Sequence, residues 1–593
     1  MCGRWRTRAW RLAAPLGLAA CVAVLATPGA LAVHGGDREV TVGSNDLVFS
    51  QNKQNEPAVA MDASRPNILA AGANDNIDME ACNAGDPTTC PFTPNVGGSG
   101  IQFSFDSGDT WVQPTYTGWT ARHCVGPPGF TCTPQVGPIG TLPWYFESGI
   151  VSDGDPALAF GPRLGPSGFS WANGSRLYYA NLTANLTADL GEPGFKGAEA
   201  IAVSRTDDVV GAAAGNKDAW MRPVIVSKQS SATFADKEQI WADNAASSAF
   251  FGNVYVCYAS FTGSGAAPMV VAVSNDGGTT WTTRHISPAH NVAPRQWGQS
   301  GCTIRTDSTG VVYVFWEEFQ SPFRFLPPVG THVLAKSFDG GRSWTRPMDL
   351  YRVTDPCFFV DPVILRCVMD GVAGARNDLS AAPSVDIANG APTGADATNL
   401  IVNTWADGRD GLNNEDVMFS FSSGGGLPGT WAAPRRISDA GDRGYYAAPA
   451  LSPDGTDVYV VYNAFTTPFR NDTTSPRSLV GVVKHANVAG GVPGAFTTLH
   501  RGASGDPRGS AQNNLQAEFL GDYVYAAASR TYAAAVWNDA RFAADCPAID
   551  AWRMSLRTAT TADDVKTPAP QVVCPPTFGN TDIFGWSGLD PTP

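Results

Sequence analysis

The stretch Ser337-Phe338-Asp339-Gly340-Gly341-Arg342-Ser343-Trp344 decides how this 593-residue chain is read. Its form recurs as Ser274-Asn275-Asp276-Gly277-Gly278-Thr279-Thr280-Trp281 and as Ser104-Phe105-Asp106-Ser107-Gly108-Asp109-Thr110-Trp111. All three read Ser-x-Asp-x-Gly-x-Ser/Thr-Trp. A carboxylate that accepts backbone N–H groups and a glycine that tolerates positive φ are what a tight hairpin needs. The hydroxyls close the same local network, and the tryptophan caps it with a large apolar face. Short apolar runs precede two of the copies, Met269–Val273 and His332–Lys336. Each copy is therefore a strand–turn–strand unit.

A longer unit runs through the whole chain. It is a strand of small residues, often entered through proline, then a Gly/Asn/Asp turn, then a strand alternating aromatic and β-branched residues. Copies begin near residues 55, 155, 236, 299, 382, 448 and 522. That period holds four short strands and their loops, the signature of a propeller blade. We expect an all-β β-propeller of four-stranded blades, seven favoured and six the alternative. The three Ser-x-Asp turns fall between the third and fourth strands of copies one, three and four. Copy five keeps a worn version, Ser422-Ser423-Gly424-Gly425-Gly426 leading to Thr430-Trp431. Arg38–Val42, ahead of copy one, is the natural strand to close the ring against the last blade, because an open edge invites association.

Gly and Pro number 63 and 44, charged residues are 16%, and no long 3.6-residue period appears, which fits short strands and turns. The formal charge of −14 and pI near 4.9 argue against nucleic acid and anionic membrane as partners. Residues 1–32 read as a secretory signal: Arg4–Arg11 is basic, Leu12–Ala26 is apolar, and Ala30-Leu31-Ala32 is a small-x-small cleavage site. Leu18-Ala19-Ala20-Cys21 has the form of a lipoprotein box, but more apolar residues and a better cleavage site follow it. We expect the mature chain, 33–593, to be a single secreted, monomeric domain with no membrane span. Ten of the twelve cysteines survive cleavage. Their spacing suggests five disulfides, Cys82–Cys90, Cys124–Cys132, Cys257–Cys302, Cys357–Cys367 and Cys546–Cys574, rather than zinc ligands. The inserts 78–99 and 112–149 read as stapled surface loops. Sequons at Asn173, Asn181, Asn185 and Asn471 read as surface turns.

The eight-residue pattern resembles the Asp-box, or BNR repeat, of the sialidase superfamily of β-propellers. In that family the box is a structural turn at the blade periphery. The resemblance spans roughly residues 50 to 560 and implies a glycan-directed exo-glycosidase acting at the channel mouth. Residues just ahead of each innermost strand converge there. They are Glu56, Asp153, Asp155, Asp236, Glu238, Gln296, Gln299, Asp378, Ser380, Arg443, Tyr445, Tyr446, Asp522 and Tyr523. We take Glu56, Asp155, Asp236, Glu238, Tyr445 and Tyr446 as catalytic candidates. Arg376, Arg443, Gln299, Asp522 and Tyr523 are the candidates for substrate binding, and Ca²⁺ is a candidate occupant of the acidic ring. The family also implies an arginine triad, a Tyr nucleophile backed by Glu, and an Asp acid/base. Its first arginine belongs to a Phe/Tyr-Arg-Ile/Leu-Pro signature. Here the matching stretch is Gln54-Asn55-Glu56-Pro57, with Asn55 in the arginine's place. Losing a guanidinium from a carboxylate site removes about 1.5–3 kcal/mol of contact, so sialoside hydrolysis is disfavoured. Asp407-Gly408-Arg409 and Asp539-Ala540-Arg541 read as structural turns, and Glu317-Glu318 as a solvated pair. The alternative function is a non-catalytic extracellular propeller binding a glycan or glycoprotein.

Overall fold

The computed structural model describes residues 35–82, 92–124, 132–227, 230–262, 267–288, 297–320, 326–558 and 566–592. Seven sheets are strung along the chain in the order the repeats predict. Their innermost strands begin at Gln54, Ile150, Thr233, Trp297, Ser384, Arg443 and Tyr525. The molecule is a seven-bladed β-propeller. Blades three and four are plain four-stranded meanders, Thr233–Ala242 through Thr282–His285 and Trp297–Thr306 through Met348–Thr354. In blade two the innermost strand is interrupted: Ile150–Ser152 and Ala157–Gly165 both pair with Gly168–Asn185.

The ring closes as expected. Arg38–Glu39 forms the outermost strand of blade seven, with Arg38 opposite Gly585 and Glu39 opposite Phe584, and the Val40 N–H donates to the Ile583 carbonyl at 2.8 Å. The first and last strands thus share one sheet. The seam is short. Between blades the core is aromatic and β-branched, and Trp316, Trp405 and Trp537 are among the largest side chains that are completely buried. Each such side chain is worth several kcal/mol against truncation, which is what holds neighbouring sheets face to face.

The three Ser-x-Asp turns have the network their residue types imply. The Gly341 N–H donates to Ser337 Oγ at 2.8 Å, the Ser343 N–H to Asp339 Oδ1 at 2.9 Å, and Trp344 Nε1 to the Gly341 carbonyl at 3.2 Å. The copy at Ser274 repeats these bonds. The worn copy keeps the Gly426 N–H on Ser422 Oγ and Trp431 on the Gly426 carbonyl. Asp407 and Asp539 are structural in the same sense. Each carboxylate holds the arginine two residues on and the indole N–H two residues back, Arg409 with Trp405 and Arg541 with Trp537.

Four of the expected disulfides form: Cys124–Cys132, Cys257–Cys302, Cys357–Cys367 and Cys546–Cys574. Cys90, the partner expected for Cys82, lies outside the described residues, as does the signal segment. The insert hairpin Tyr116–Thr120 with Gln135–Ile139 is tied to the other insert by Asp78, whose carboxylate accepts from the Gly140 and Thr141 N–H groups and from Arg122. One reading is corrected: Asn181 is no surface sequon. It is fully buried in blade two, hydrogen-bonded to the Tyr145 hydroxyl, because its strand is covered on both faces. Short helices, the longest Pro547–Leu556, occupy the connection ahead of the last strand, Asp582–Leu589. Among the described residues no helix is long and apolar enough to cross a membrane.

Candidate functional site at the channel mouth

The innermost strands do not run evenly to the mouth. In blade one the inner strand advances from Asn55 to Ala58 while its partner moves only from Asn74 to Gly72. Blades three, four and six show the same shift, between Asp236 and Gln239, Ser300 and Thr303, and Gly444 and Ala447. Each is a β-bulge, which re-aims side chains at the end of a strand. The first bulged residue of blade four is Gly301 at φ 65°, the residue type such a bulge favours. Blades one and three put Glu56 (φ 55°) and Lys237 (φ 59°) there, and blade two holds Asp155 at φ 50° in its interruption. A side chain in this left-handed region costs about 1–2 kcal/mol. Three such charged residues in adjacent blades, all converging on one cluster, mark the candidate site. The Cys257–Cys302 disulfide pins blades three and four at the level of these bulges.

Asp522 is the hub of the cluster. Arg376 binds it through Nε at 3.0 Å and Nη2 at 2.7 Å, and Lys237 Nζ lies 2.8 Å away. Lys237 also reaches Asp155 at 3.1 Å, and Arg376 reaches Glu56 at 3.4 Å while its guanidinium lies over Phe519. Asn74 links the two acids, donating to Glu56 at 2.6 Å and accepting from the Asp155 N–H at 2.7 Å. The Glu56 N–H is held by Asn538. Burial, with Asp155 and Asp522 close by, pushes the Glu56 carboxyl well above the ordinary range. Burial works the same way on Asp522, but Arg376 and Lys237 outweigh it and keep that carboxyl well below its usual value. The two acids of the cluster are therefore shifted in opposite directions.

Outward from Lys237 the mouth opens into a cavity of about 340 Å³. Phe234, Phe261 and Phe319 form apolar walls, with the first two rings stacked at 5.0 Å. Asp236, Glu317, Asp355 and Asp378 supply carboxyl groups. Asp236 is raised to about 6 by burial, a rise that Lys237 limits. Asp355 is raised to about 8 by burial and by Asp407. Burial and Asp355 also raise Glu317 well above its ordinary value. Glu317, read from sequence as solvated, is in fact buried, with one carboxyl oxygen facing no hydrogen-bond partner.

The predicted residues divide. Glu56, Asp155, Asp236, Arg376 and Asp522 come together. Tyr446 joins them, donating to the Arg376 carbonyl at 2.8 Å and to Asp522 at 3.3 Å, whereas Tyr445 donates to the Gly374 and Arg376 carbonyls. Burial pushes both phenols well above their ordinary value, the opposite of what a phenolate nucleophile needs. Tyr523 and Glu238 line a smaller recess beneath Lys237, and burial raises Glu238 well above the carboxylate range. Gln299 does not join the cluster; its amide donates to the Pro288 carbonyl. Arg443 is also elsewhere, locked between Glu415 and Asp370 at 2.8–2.9 Å. Gln296 lies outside the described residues. Sequence reasoning missed Lys237, Asn74 and Asp355. A lysine between two acids on an innermost strand, Asp236-Lys237-Glu238, was the legible signal; Asp355 sits in an irregular connection and offered none.

No family model and no curated protein sequence matches the chain. Among solved structures it is similar to the Hadza microbial sialidase, at 14% identity and TM-score 0.39 over 69% of this chain and 63% of that one. It is likewise similar to the intramolecular trans-sialidase of Ruminococcus gnavus, at 12% identity and TM-score 0.37 over 71% and 93% of the two chains. A third is the α-L-arabinofuranosidase of Fusarium graminearum, at 12% identity and TM-score 0.33 over 73% and 92%. The chain thus spans less than two thirds of the length of the first of these.

Proposed function

We propose that the protein is an exported glycoside hydrolase that takes the end of a neutral glycan, free or on a glycoprotein, into the mouth cavity. The observation that carries this reading is a pair of carboxyl groups of opposite protonation facing one cavity. At neutral pH Asp355, raised to about 8, holds a proton, and Asp236, raised only to about 6, is ionised. Glycoside cleavage needs that division of labour. Asp355 delivers its proton to the glycosidic oxygen. Asp236 faces the positive charge that develops on the sugar, either directly or by activating water. The stacked Phe234 and Phe261 offer a flat apolar face to the sugar ring. The central cluster positions Asp236 by holding Lys237, whose ammonium lies 3.6 Å from that carboxylate.

The cations at the mouth argue for a neutral sugar. Arg376 is committed to Asp522 and Glu56, and Arg366 to Asp378. No arginine triad is left for a substrate carboxylate among the described residues, in keeping with Asn55 in the signature position. The four disulfides fit an oxidising, extracellular setting. The test is a panel of chromogenic sialosides and neutral glycosides. Turnover of a neutral glycoside is expected, with kcat/KM bell-shaped between about 6 and 8. Asp355→Asn and Asp236→Asn are expected to lose about 10²–10⁴-fold. Failure on every glycoside, or full activity in both variants, refutes the reading.

A second reading is a glycan-binding propeller without turnover. It is favoured by the complete burial of Glu56 and Asp522, which are sealed in ion pairs rather than presented to a ligand. Ca²⁺ in the ring would have to share the axis with Lys237 and Arg376. Saturable binding to immobilised glycans with no released sugar would favour this reading.

A further inference from the structure

Far from the mouth, where blade six meets the closing blade, three ligating side chains converge. Asp457 opens the second strand of blade six, His485 lies on its third, and Asp590 directly follows the strand Asp582–Leu589 of blade seven. One imidazole nitrogen and one oxygen of each carboxylate lie within 4.8 Å of one another. Asp457 and His485 are buried, at 5% and 3% exposure, and Asp590 is half-buried.

The two carboxylates are held by supporting bonds of the kind that fix metal-site geometry. Thr456 Oγ1 donates to Asp457 Oδ2 at 2.7 Å, and the Asp457 N–H donates to Ser452 Oγ at 3.0 Å. The Asp590 N–H donates to the Thr531 carbonyl, and its Oδ1 accepts from the Thr592 N–H at 2.9 Å. Thr592 Oγ1 donates in turn to Asn487 Oδ1 of blade six at 2.6 Å. The Tyr459 ring backs the imidazole at 4.9 Å. Among the described residues, no lysine or arginine forms an ion pair with Asp457 or Asp590; only His485 Nε2 approaches Asp457, at 2.9 Å. Two carboxylates without a lysine or arginine partner, beside an imidazole, make a site for a divalent cation. The mixed nitrogen and oxygen donor set suits zinc-type ions, whereas Ca²⁺ and Mg²⁺ take oxygen alone.

The geometry points to a zinc-type divalent-cation site, made by Asp457 and His485 of blade six with Asp590 of blade seven, that staples the closing blade to its neighbour. The N-terminal strand Arg38–Glu39 that completes blade seven is short, so a staple elsewhere on that blade adds to what holds it in the ring. A cation bound across blades six and seven stabilises the folded ring by mass action, because the site does not exist in the unfolded chain.

The experiment is calorimetric titration of the chelator-stripped full chain with ZnCl₂, with CaCl₂ in parallel. One equivalent of Zn²⁺ is expected to bind and to raise Tm progressively with its concentration, and Ca²⁺ at the same concentration is expected to do neither. His485→Ala and Asp590→Asn are expected to abolish both effects. Asp590→Asn, at the rim, serves where the buried substitution disturbs folding, with circular dichroism reporting the fold. An anomalous-scattering peak at the zinc edge, about 2.0–2.2 Å from the three side chains, is the direct reading. No stoichiometric Zn²⁺ binding, or binding and Tm shift unchanged in Asp590→Asn, overturns the proposal.

Discussion

At the mouth the innermost strands carry Glu56, Asp155, Lys237 and, just ahead of the last of them, Asp522. A few residues further along, the same strands carry Val59–Met61, Ala157–Phe160, Ile240 and Ala526–Ala528, which line a chamber of about 300 Å³. Gln239 and Tyr525, hydrogen-bonded to each other across the axis, line both the recess below the mouth and the chamber. Arg305, paired to Asp386 and lying over Trp241, is one of the few charges in the chamber wall. The bulges separate these two regimes. Below them the strands keep plain register, and small or apolar side chains fill the taper between blades. Above them an extra residue turns the chain, so charged side chains point along and across the axis. One repeat thus supplies both a chamber with largely apolar walls and a polar site.

The sharpest way to break the mouth alone is Asp522→Ala. It strands Lys237 and Arg376 in a buried site without their shared counter-ion, a loss of about 3–5 kcal/mol. Chemical denaturation measures it. Ile240→Ala in the chamber wall costs a comparable 2–5 kcal/mol by leaving a cavity. The two differ in their response to pH. Asp522 has a depressed folded pKa, so its contribution is present above the unfolded value of about 4 and is lost as pH falls through the folded one. The deficit of Asp522→Ala should therefore shrink in strong acid, and that of Ile240→Ala should not. Equal pH responses would mean that the polar and apolar regimes are not energetically distinct.

Other mouth acids have the opposite sign. Asp236 and Asp355 are raised to about 6 and 8, in each case first by burial. Their contribution is complete below the unfolded pKa of about 4 and is lost as pH rises through these values. Tm should fall between pH 5 and pH 9, and Asp355→Asn should flatten the middle of that fall. A flat wild-type profile would place these carboxyls in water instead.

The barrier between the regimes is tested by Gly301→Ala. The residue sits at φ 65°, and an added Cβ would lie 2.4 Å from the Ala382 Cβ, so we expect a loss of about 2–4 kcal/mol in urea unfolding. A near-neutral result would show that blade four does not need its bulge.

How far the sequence could be read follows the same division. The blades were legible because a blade is local. Its turns need Asp, Gly and Ser at fixed offsets, and its strands need alternation, so seven copies announce themselves in order. The cluster was legible only where acids sit at the mouth end of an innermost strand, as at Glu56, Asp155, Asp236 and Asp522. Arg376 was named among several arginines without a reason to prefer it, since its segment lies in an irregular connection with no period. Asp355 comes from the same connection. Arg443 misled because position at a strand start does not show whether a counter-ion such as Glu415 waits in a neighbouring turn. The burial of Glu317 was hidden for a similar reason: Asp355 and Asp378, which line the same cavity, come from outside its own blade.

The smallest expected effect lies outside both regimes, at the rim. Asp339→Ala removes the carboxylate that organises Ser337, Arg342 and Ser343, in a turn that stays largely exposed. Bonds in exposed turns are readily replaced by water, so the loss should be about 1 kcal/mol. Asp339 is itself held down to about 2, first by its bond from Ser343, so its contribution persists to low pH. The same substitution at Asp276 should cost as much, because its bonds match one for one. Glycosidase activity, if the mouth is where chemistry happens, should be untouched by either. A large activity loss without a change in Tm would mean that the rim turns face the substrate rather than brace the blade.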